Sequence, residues 1–456
     1  MTGYPKNHFL EPHALAPYLE EGRVRARVRC VKRDVQSAQF RYETPANKPQ
    51  TFIQGGGGEG DMFPKMTPLN VLPKDGLAGT LVGRALYPGA FPGPCVVVIR
   101  EDGVHNISGT VPTMAELLNS QNPVERAVKA TRNCVYLGPL DEILENSTPD
   151  THDPLKPYFL SPVDLQAVKA CGMTFVKSML GRAIEEQAQE DAAKAEALHK
   201  ILEGEIGGKI ATVVPGSEEA EKLKAALIER GMWSQYLEAG IGPYVEVFTK
   251  AQPLSTVGIG AEVGIHPDSR WSHSEPEVVL IVNSHGEPIG ATLGNDVNLH
   301  DLEGLSALFL GRAKDNNASC AMGPFVRLFD DTFSLEDVSN QNVSMTIQGD
   351  DGYLLSETYP MEEMTRTLDE LVSQTFNENH QYPDGLALFT GTMFYPDQDR
   401  DEVGKGFTHN VGDIVTIKAP GLGTLINRVN HSNKVRPWSF GFADLMNNLA
   451  NRHLIG

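Results

Sequence analysis

The chain has little that would tie it to a membrane, to nucleic acid or to a disulfide scaffold. It contains no stretch of roughly 18 consecutive apolar residues, so no membrane-spanning helix is expected. Its start, Met1-Thr-Gly-Tyr-Pro-Lys-Asn-His8, lacks the basic-then-apolar pattern of a secretory signal. Cysteine is scarce: five in 456 residues, at positions 30, 95, 134, 171 and 320, with no Cys-x-x-Cys pair. An odd, scattered set predicts free thiols in a reducing, cytoplasmic compartment. Positive charge is also short, with 39 Lys and Arg against 59 Asp and Glu and a formal net charge of −20. That balance argues against nucleic acid or an anionic membrane surface as partner. An anionic substrate must therefore find its positive charge locally, in a metal ion or in individual Lys and Arg side chains. The Gly-x-Ser-x-Gly elbow of serine hydrolases, the His-Glu-x-x-His of zinc proteases and the Walker phosphate loop are all missing.

What is present suggests a main domain with a smaller one beside it, since 456 residues exceed a single ordinary core. Residues 1–75 read as an N-terminal extension. Within it, Gly22 to Arg29 alternates Arg with Val at a strand's period of two, and 54–60 is a Gly-rich loop. Gly55, Gly57 and Gly60 formally match a dinucleotide fingerprint, but that motif must open a helix after a strand. The following Asp61-Met-Phe-Pro-Lys-Met-Thr-Pro68 does not, so a mobile loop is expected. Residues 76–160 read as a small α/β module, with strands near 79–86 and 95–100 and a helix capped by Thr113. Residues 161–235 read as a helical insertion, from the mixed three- and four-residue apolar spacing of 165–206 and the acidic helix start at Ser217-Glu218-Glu219. The texture of 236–456 is short β-branched runs broken by Gly, Pro, Asn and Asp, a strand-rich pattern.

Chemistry concentrates in that last region. Glu275 and Glu277 stand two apart at the head of the apolar run 278–282, so in a strand both point to one face. Adjacent carboxylates repel unless something positive lies between them. An oxygen-only ligand set suits a hard divalent cation, Mg²⁺ most naturally, with Mn²⁺ or Ca²⁺ as alternatives. Asp296, after the apolar stretch 288–293, is a candidate third ligand. A solvated strand face would also explain a Glu-x-Glu pair, and spacing alone does not connect Asp296 or Lys314 to it.

A set of short motifs in order makes that connection: Asp268-Ser269-Arg270-Trp271, Glu275-Pro276-Glu277, Gly294-Asn295-Asp296-Val297, Ala313-Lys314, Phe389-Thr390-Gly391-Thr392 and Gly412-Asp413-Ile414-Val415. Together they resemble the fumarylacetoacetate hydrolase superfamily. The Asp-Ser-x-Trp and Glu-Pro-Glu forms, with the stretches Ala291 to Gly304 and Gly404 to His409, look most like its branch that dehydrates 2-keto-3-deoxy sugar acids. The resemblance covers about residues 75–450. It implies an α+β protein: a mostly β, barrel-type catalytic domain over 236–456, with the small α/β module and the helical insertion beside it.

It further implies a divalent metal on Glu275, Glu277 and Asp296 and a small anionic 2-keto acid as substrate. The expected reaction is loss of water from a 2-keto-3-deoxypentonate to give a 2-oxo semialdehyde. The metal acidifies C3, a base removes its proton, and the C4 hydroxyl then leaves. Lys314 is the candidate base, with a pKa expected to fall toward neutrality beside the cation. Arg270 pairs either with the substrate carboxylate or with Asp268. Thr392 and Lys250 are further candidates for substrate binding. His273, closest to the glutamates, and His266, His300 and His409 are read as packed or solvated rather than as ligands. The insertion is either a plain surface helix or a cap bringing Glu185 or Glu186 over the site. Within the same fold, C–C hydrolysis of a 2,4-diketo acid and oxaloacetate decarboxylation are alternatives. A non-catalytic metal-binding protein is an alternative of another class. A homo-oligomer, dimer or tetramer, is expected from the resemblance.

Overall fold

The protein is described here by a computed structural model covering residues 63–188, 192–201, 207–396, 398–400 and 406–455. The Arg/Val stripe, the Gly-rich loop and the Gly404-Lys405 end of one motif lie outside the described residues.

The apolar runs become two sheets. The larger follows the order β4 (Val135–Gly138), β3 (Gly103–Asn106), β2 (Gly93–Arg100), β1 (Leu81–Tyr87), β11 (Cys320–Leu328), β10 (Pro288–Leu299), β9 (Ser272–Val282), β14 (Leu386–Phe389), β6 (Ala167–Gly172) and β7 (Glu246–Ala251), with β5 (Tyr158–Leu160) paired to β1. The smaller runs β13 (Leu354–Pro360), β12 (Asn342–Gln348), β15 (Ile414–Ala419), β16 (Gly423–His431) and β8 (Glu262–Ile265). The α+β class and the strand-rich catalytic region are as the sequence predicts. Among the described residues the strands form two stacked open sheets rather than one closed barrel. The small module does not keep a sheet of its own either, because β1 pairs antiparallel with β11 and carries the module's strands into the catalytic sheet.

Strand parity explains the stacking. On β9, Val278, Leu280 and Val282 join the core shared with the smaller sheet, including Met345, Ile347, Val415, Ile417 and Leu425. The intervening Val279 and Ile281 join a second core with Met114, Leu117 and Phe389 on the opposite face. Both cores are apolar, so β9 is buried at every position, as a central strand covered on both faces must be. Glu275 and Glu277 share the parity of Val279 and Ile281 and open on that second face.

The helical insertion begins later than its sequence suggests. Residues 167–172 form β6, paired in parallel with β14 and antiparallel with β7. Val168 and Ala170 alternate at a strand's period, and that short signal was masked by the helical spacing downstream. Helices Val176–Ala188, Ala192–Ile201, Gly207–Thr212, Glu218–Glu229 and Gln235–Ile241 follow. They enclose a core of their own, with Met179, Leu180, Ala183, Leu227 and Leu237. The expected caps form: Thr113 Oγ1 accepts from Glu116 N, and Ser217 Oγ accepts from Ala220 N.

Candidate active site

The antiparallel pairing of β9 with β10 builds the site. Asp296 lies directly across from Glu275, and Gly294 across from Glu277. Directly opposed residues put their side chains on one face within a few ångströms, so two carboxylates become three. One oxygen from each of Glu275, Glu277 and Asp296 lies within 4.8 Å of the others. Gly294 is obligatory here, because a Cβ at that position would lie 2.3 Å from the Phe389 ring and 2.6 Å from Val279.

All three carboxylates are buried, at 8, 2 and 1% exposure. Burial pushes Glu275 up to about 7 against the pull of the Lys314 ammonium, and burial, then the Asp296 and Glu275 charges, pushes Glu277 well above the usual carboxylate range. Glu277 is oriented by the Gly391 N–H, which donates to its Oε2 at 2.6 Å. Gly391 adopts φ +90°, and a Cβ there would meet Thr174 Oγ1 at 2.2 Å and the Cys171 carbonyl at 3.0 Å. Its glycine is therefore needed to aim that N–H.

The donor set fits a hard divalent cation. It is oxygen-only, and its oxygens lie within 4.8 Å of one another, within reach of one ion whose bonds to oxygen run about 2.0–2.6 Å. Its like charges are buried together, which favours a cation among them. No histidine joins it: His273 Nδ1 is 3.9 Å from Glu275 Oε1. His409 is held by Asp413 and Ser274, and His266 accepts from the Asp268 N–H.

Two lysines reach the cluster. The short helix Leu310–Lys314 delivers Lys314, whose Nζ donates to Glu275 Oε2 and, at 3.0 Å, to Asp296 Oδ2. Burial opposes its charge, but the surrounding carboxylates outweigh burial and hold the ammonium above the usual lysine range. The fall expected from sequence rests on a cation beside the lysine; the carboxylates by themselves act in the opposite direction. Lys250, on β7, is completely buried and lies behind Asp296 rather than in the pocket. Its Nζ is 2.9 Å from Asp296 Oδ1 as an ion pair, and it donates to the Val297 carbonyl at 3.2 Å and to the Lys314 carbonyl. Its contacts fasten the ligand strand to the Lys314 helix.

Thr392 lines the pocket, half-buried, with Oγ1 donating to the Phe394 carbonyl at 2.9 Å. Arg270 is exposed on the turn before β9, is not among the pocket-lining residues, and is held through its backbone N–H by Asp301. The guanidinium that does line the pocket is Arg182, from the first helix of the insertion. It is 3% exposed and donates to His300 and Glu303 and, at 3.3 Å, to Glu185 Oε2. Glu303 in turn accepts from Asn298 Nδ2 at 2.6 Å, and Asn298 also donates to Glu275 Oε1 at 3.1 Å. The insertion is thus tied to the metal-type carboxylates through a continuous polar chain. Glu185 joins that chain, accepting from Tyr395 OH at 2.6 Å and lying 3.0 Å from His300 Nε2. Glu186 points elsewhere, to Ser234 and Gln235 within the insertion.

The residue that sequence reading missed altogether is Glu246, on β7. It lines the same pocket, and burial, then the Glu303 charge, raises it to about 7 against the pull of Lys314. Glu303 goes the other way: burial opposes its charge, but Arg182 and Lys314 lower it to about 2. One pocket therefore sets carboxyls raised toward neutrality, Glu246 among them, beside one, Glu303, that is held ionised. Such a division is what proton transfer needs. Its only sequence signal was period-two alternation along 246–250, which places Glu246, Phe248 and Lys250 on one face.

Residues 237–430 match the family described as fumarylacetoacetate (FAA) hydrolase C-terminal. The chain is 35% identical over 201 residues to a probable 2-keto-3-deoxyxylonate dehydratase of Haloferax volcanii, a match covering 44% of this chain and 65% of that protein. It is 30% identical over 190 residues to a 2-dehydro-3-deoxy-D-arabinonate dehydratase of Saccharolobus solfataricus, covering 42% and 60%. The chain thus spans less than two thirds of the length of these relatives. The solved apo structure of a 2-keto-3-deoxy-D-arabinonate dehydratase shares the fold, with a TM-score of 0.52 at 19% identity over 77% of this chain and 99% of that one. The matched segment carries Glu275, Glu277, Asp296, Lys314 and Gly391 in one buried pocket, so residues 237–430 are similar to the C-terminal part of the fumarylacetoacetate hydrolase family.

Proposed function

We propose that this protein is a divalent-metal-dependent dehydratase acting on a 2-keto-3-deoxy sugar acid, of which a 2-keto-3-deoxypentonate is the best-supported example. The observation that carries the reading is the pocket itself: three buried carboxylates, a buried lysine among them and, facing the same space, a carboxyl raised to about 7. The names of the two curated relatives support the substrate class.

Glu275, Glu277 and Asp296 would hold the cation, Mg²⁺ being the natural choice for such oxygens. Bound there, it would polarise the 2-keto group of the substrate and make the C3 protons acidic. Lys314 is the candidate base. Glu275 and Asp296 fix its Nζ at the cluster, and it can accept the C3 proton once it has released its own. That release is favoured when its carboxylate partners are committed elsewhere. Glu246 is the candidate acid. Its proton, retained near neutrality, is available to the departing C4 hydroxyl. Thr392 remains a candidate contact for the substrate carboxylate. Arg182 and Glu303 close the pocket wall from the insertion, and Lys250 positions Asp296 from behind. A protein of this kind takes a small anionic 2-keto acid, and the family's assemblies make a homo-oligomer the expected state.

The test is product identity. Incubation with a 2-keto-3-deoxypentonate and Mg²⁺ is expected to yield a 2-oxo semialdehyde with every carbon retained. Recovery of two smaller acids from a 2,4-diketo acid, with no dehydration, would instead assign C–C hydrolysis to the same pocket.

A further inference from the structure

Among the described cysteines, Cys134 stands apart. Cys95, Cys171 and Cys320 are buried, and burial pushes their thiols up, that of Cys95 to about 12. Cys134 is half-buried and leads into β4, the strand at one end of the larger sheet, whose Val135 and Tyr136 are exposed. Its Sγ lies 3.2 Å from His105 Nδ1, and His105 Nε2 lies 2.9 Å from Asp102 Oδ1. The tight turn from β2 to β3 sets this up. Gly103 has φ +129°, and a Cβ there would meet the Gly138 carbonyl at 2.4 Å, so the turn presses against β4 and carries Asp102 to the histidine.

The direction of the hydrogen bonds follows from the partners. The His105 hydrogen bond holds the Asp102 carboxyl below the usual aspartate range. An ionised carboxylate only accepts, so His105 Nε2 carries a hydrogen, and Nδ1 is the ring atom that faces the thiol. Nucleophile, base and a group orienting the base then stand in hydrogen-bond sequence, the arrangement that activates thiols generally. Tyr136 packs at a tilt against the imidazole, 5.5 Å between ring centres.

We propose that Cys134, His105 and Asp102 form a second reactive site, separate from the carboxylate pocket, at which hydroperoxides oxidise Cys134. His105 Nδ1 takes the thiol proton, and the thiolate sulfur attacks one peroxide oxygen. The O–O bond breaks, and the departing oxygen leaves as water after taking the proton back from His105. Sulfur is oxidised by two electrons to a sulfenic acid while the peroxide is reduced, so one thiol and one hydrogen peroxide give one sulfenic acid and one water.

The experiment treats the full-length protein with limiting hydrogen peroxide in the presence of dimedone, then maps the adducts by peptide mass spectrometry. Cys134 is expected to carry at least about tenfold more adduct than the buried Cys95, Cys171 or Cys320, since its sulfur is only half-buried and has an imidazole nitrogen at hydrogen-bond distance. His105→Asn and Asp102→Asn are each expected to lower that adduct about tenfold. Asp102 is exposed, so Asp102→Asn keeps the test valid even where His105→Asn fails to fold. Labelling spread evenly over Cys95, Cys134, Cys171 and Cys320, or Cys134 labelling undiminished in folded Asp102→Asn, would overturn the proposal.

Discussion

Replacing Lys314 by Met separates what the lysine does for chemistry from what it does for the carboxylates. The substitution keeps a long side chain but removes an ammonium that is 3% exposed, 3.0 Å from Asp296 Oδ2 and bonded to Glu275. Glu275 loses its lysine counter-charge outright, and Asp296 loses one of its two, keeping the Lys250 ion pair. Breaking a buried ion pair by removing one partner costs about 3–5 kcal/mol, so in EDTA the variant should unfold at clearly lower denaturant than the wild type. A divalent cation in the cluster restores the missing charge. At a hundred times its dissociation constant it contributes about 2.7 kcal/mol, and the variant should recover most of the difference on Mg²⁺ addition. The wild type, with its ammonium in place, should respond less. Turnover should not recover, since loss of a proton-transfer group costs about 10²–10⁴-fold. The assays are urea unfolding in EDTA and in Mg²⁺, and initial-rate semialdehyde production. Two results would refute the reasoning: a variant as stable as wild type in EDTA, or one that keeps more than about a tenth of wild-type turnover.

Glu246→Gln should lower turnover by about 10²–10⁴-fold. In the wild type, turnover should decline as pH rises through about 7, where Glu246 gives up its proton, and a pH–rate profile of the variant should lack that limb. Gly294→Ala forces a methyl against Phe389 and Val279 and should cost about 1–3 kcal/mol by overpacking, read as a lower urea midpoint with unchanged slope. Asp413 is gripped by Arg400 at 2.6 and 2.8 Å and by His409 at 2.8 Å. Burial opposes its charge, yet those partners hold its carboxyl below the usual range, so its contribution is complete above the ordinary aspartate pKa and lost as pH falls through the lowered one. Asp413→Asn should therefore destabilise by about 3–5 kcal/mol at neutral pH, with the gap to wild type closing below about pH 4 in pH-dependent unfolding.

What the sequence revealed of the site is the part written locally. Glu275 and Glu277 share a face by parity, and the motif order brought Asp296 and Lys314 to them. Cross-strand register then accounts for the triad, because Asp296 pairs with Glu275 itself. What the sequence hid depends on distant partners. Arg182 meets His300 and Glu303 across more than a hundred residues, and nothing in a helix's own periodicity says which charge it will face. Lys250 sits on a strand near the motifs, but its burial behind Asp296 is set by the packing of β7 against the Lys314 helix. Arg270 lies in a conspicuous motif, yet the turn points it to solvent. The start of the insertion was obscured because a six-residue strand leads directly into a helix, and short apolar runs do not declare their period.

The measurement that tests the central claim most directly is turnover of a 2-keto-3-deoxypentonate by protein stripped with EDTA and then resupplied with Mg²⁺, in wild type and in Glu277→Gln. The account predicts semialdehyde formation that vanishes with EDTA, returns with Mg²⁺ in the wild type and does not return in the variant. Dehydration that proceeds unchanged in EDTA, or that Glu277→Gln supports at the wild-type rate, would contradict it.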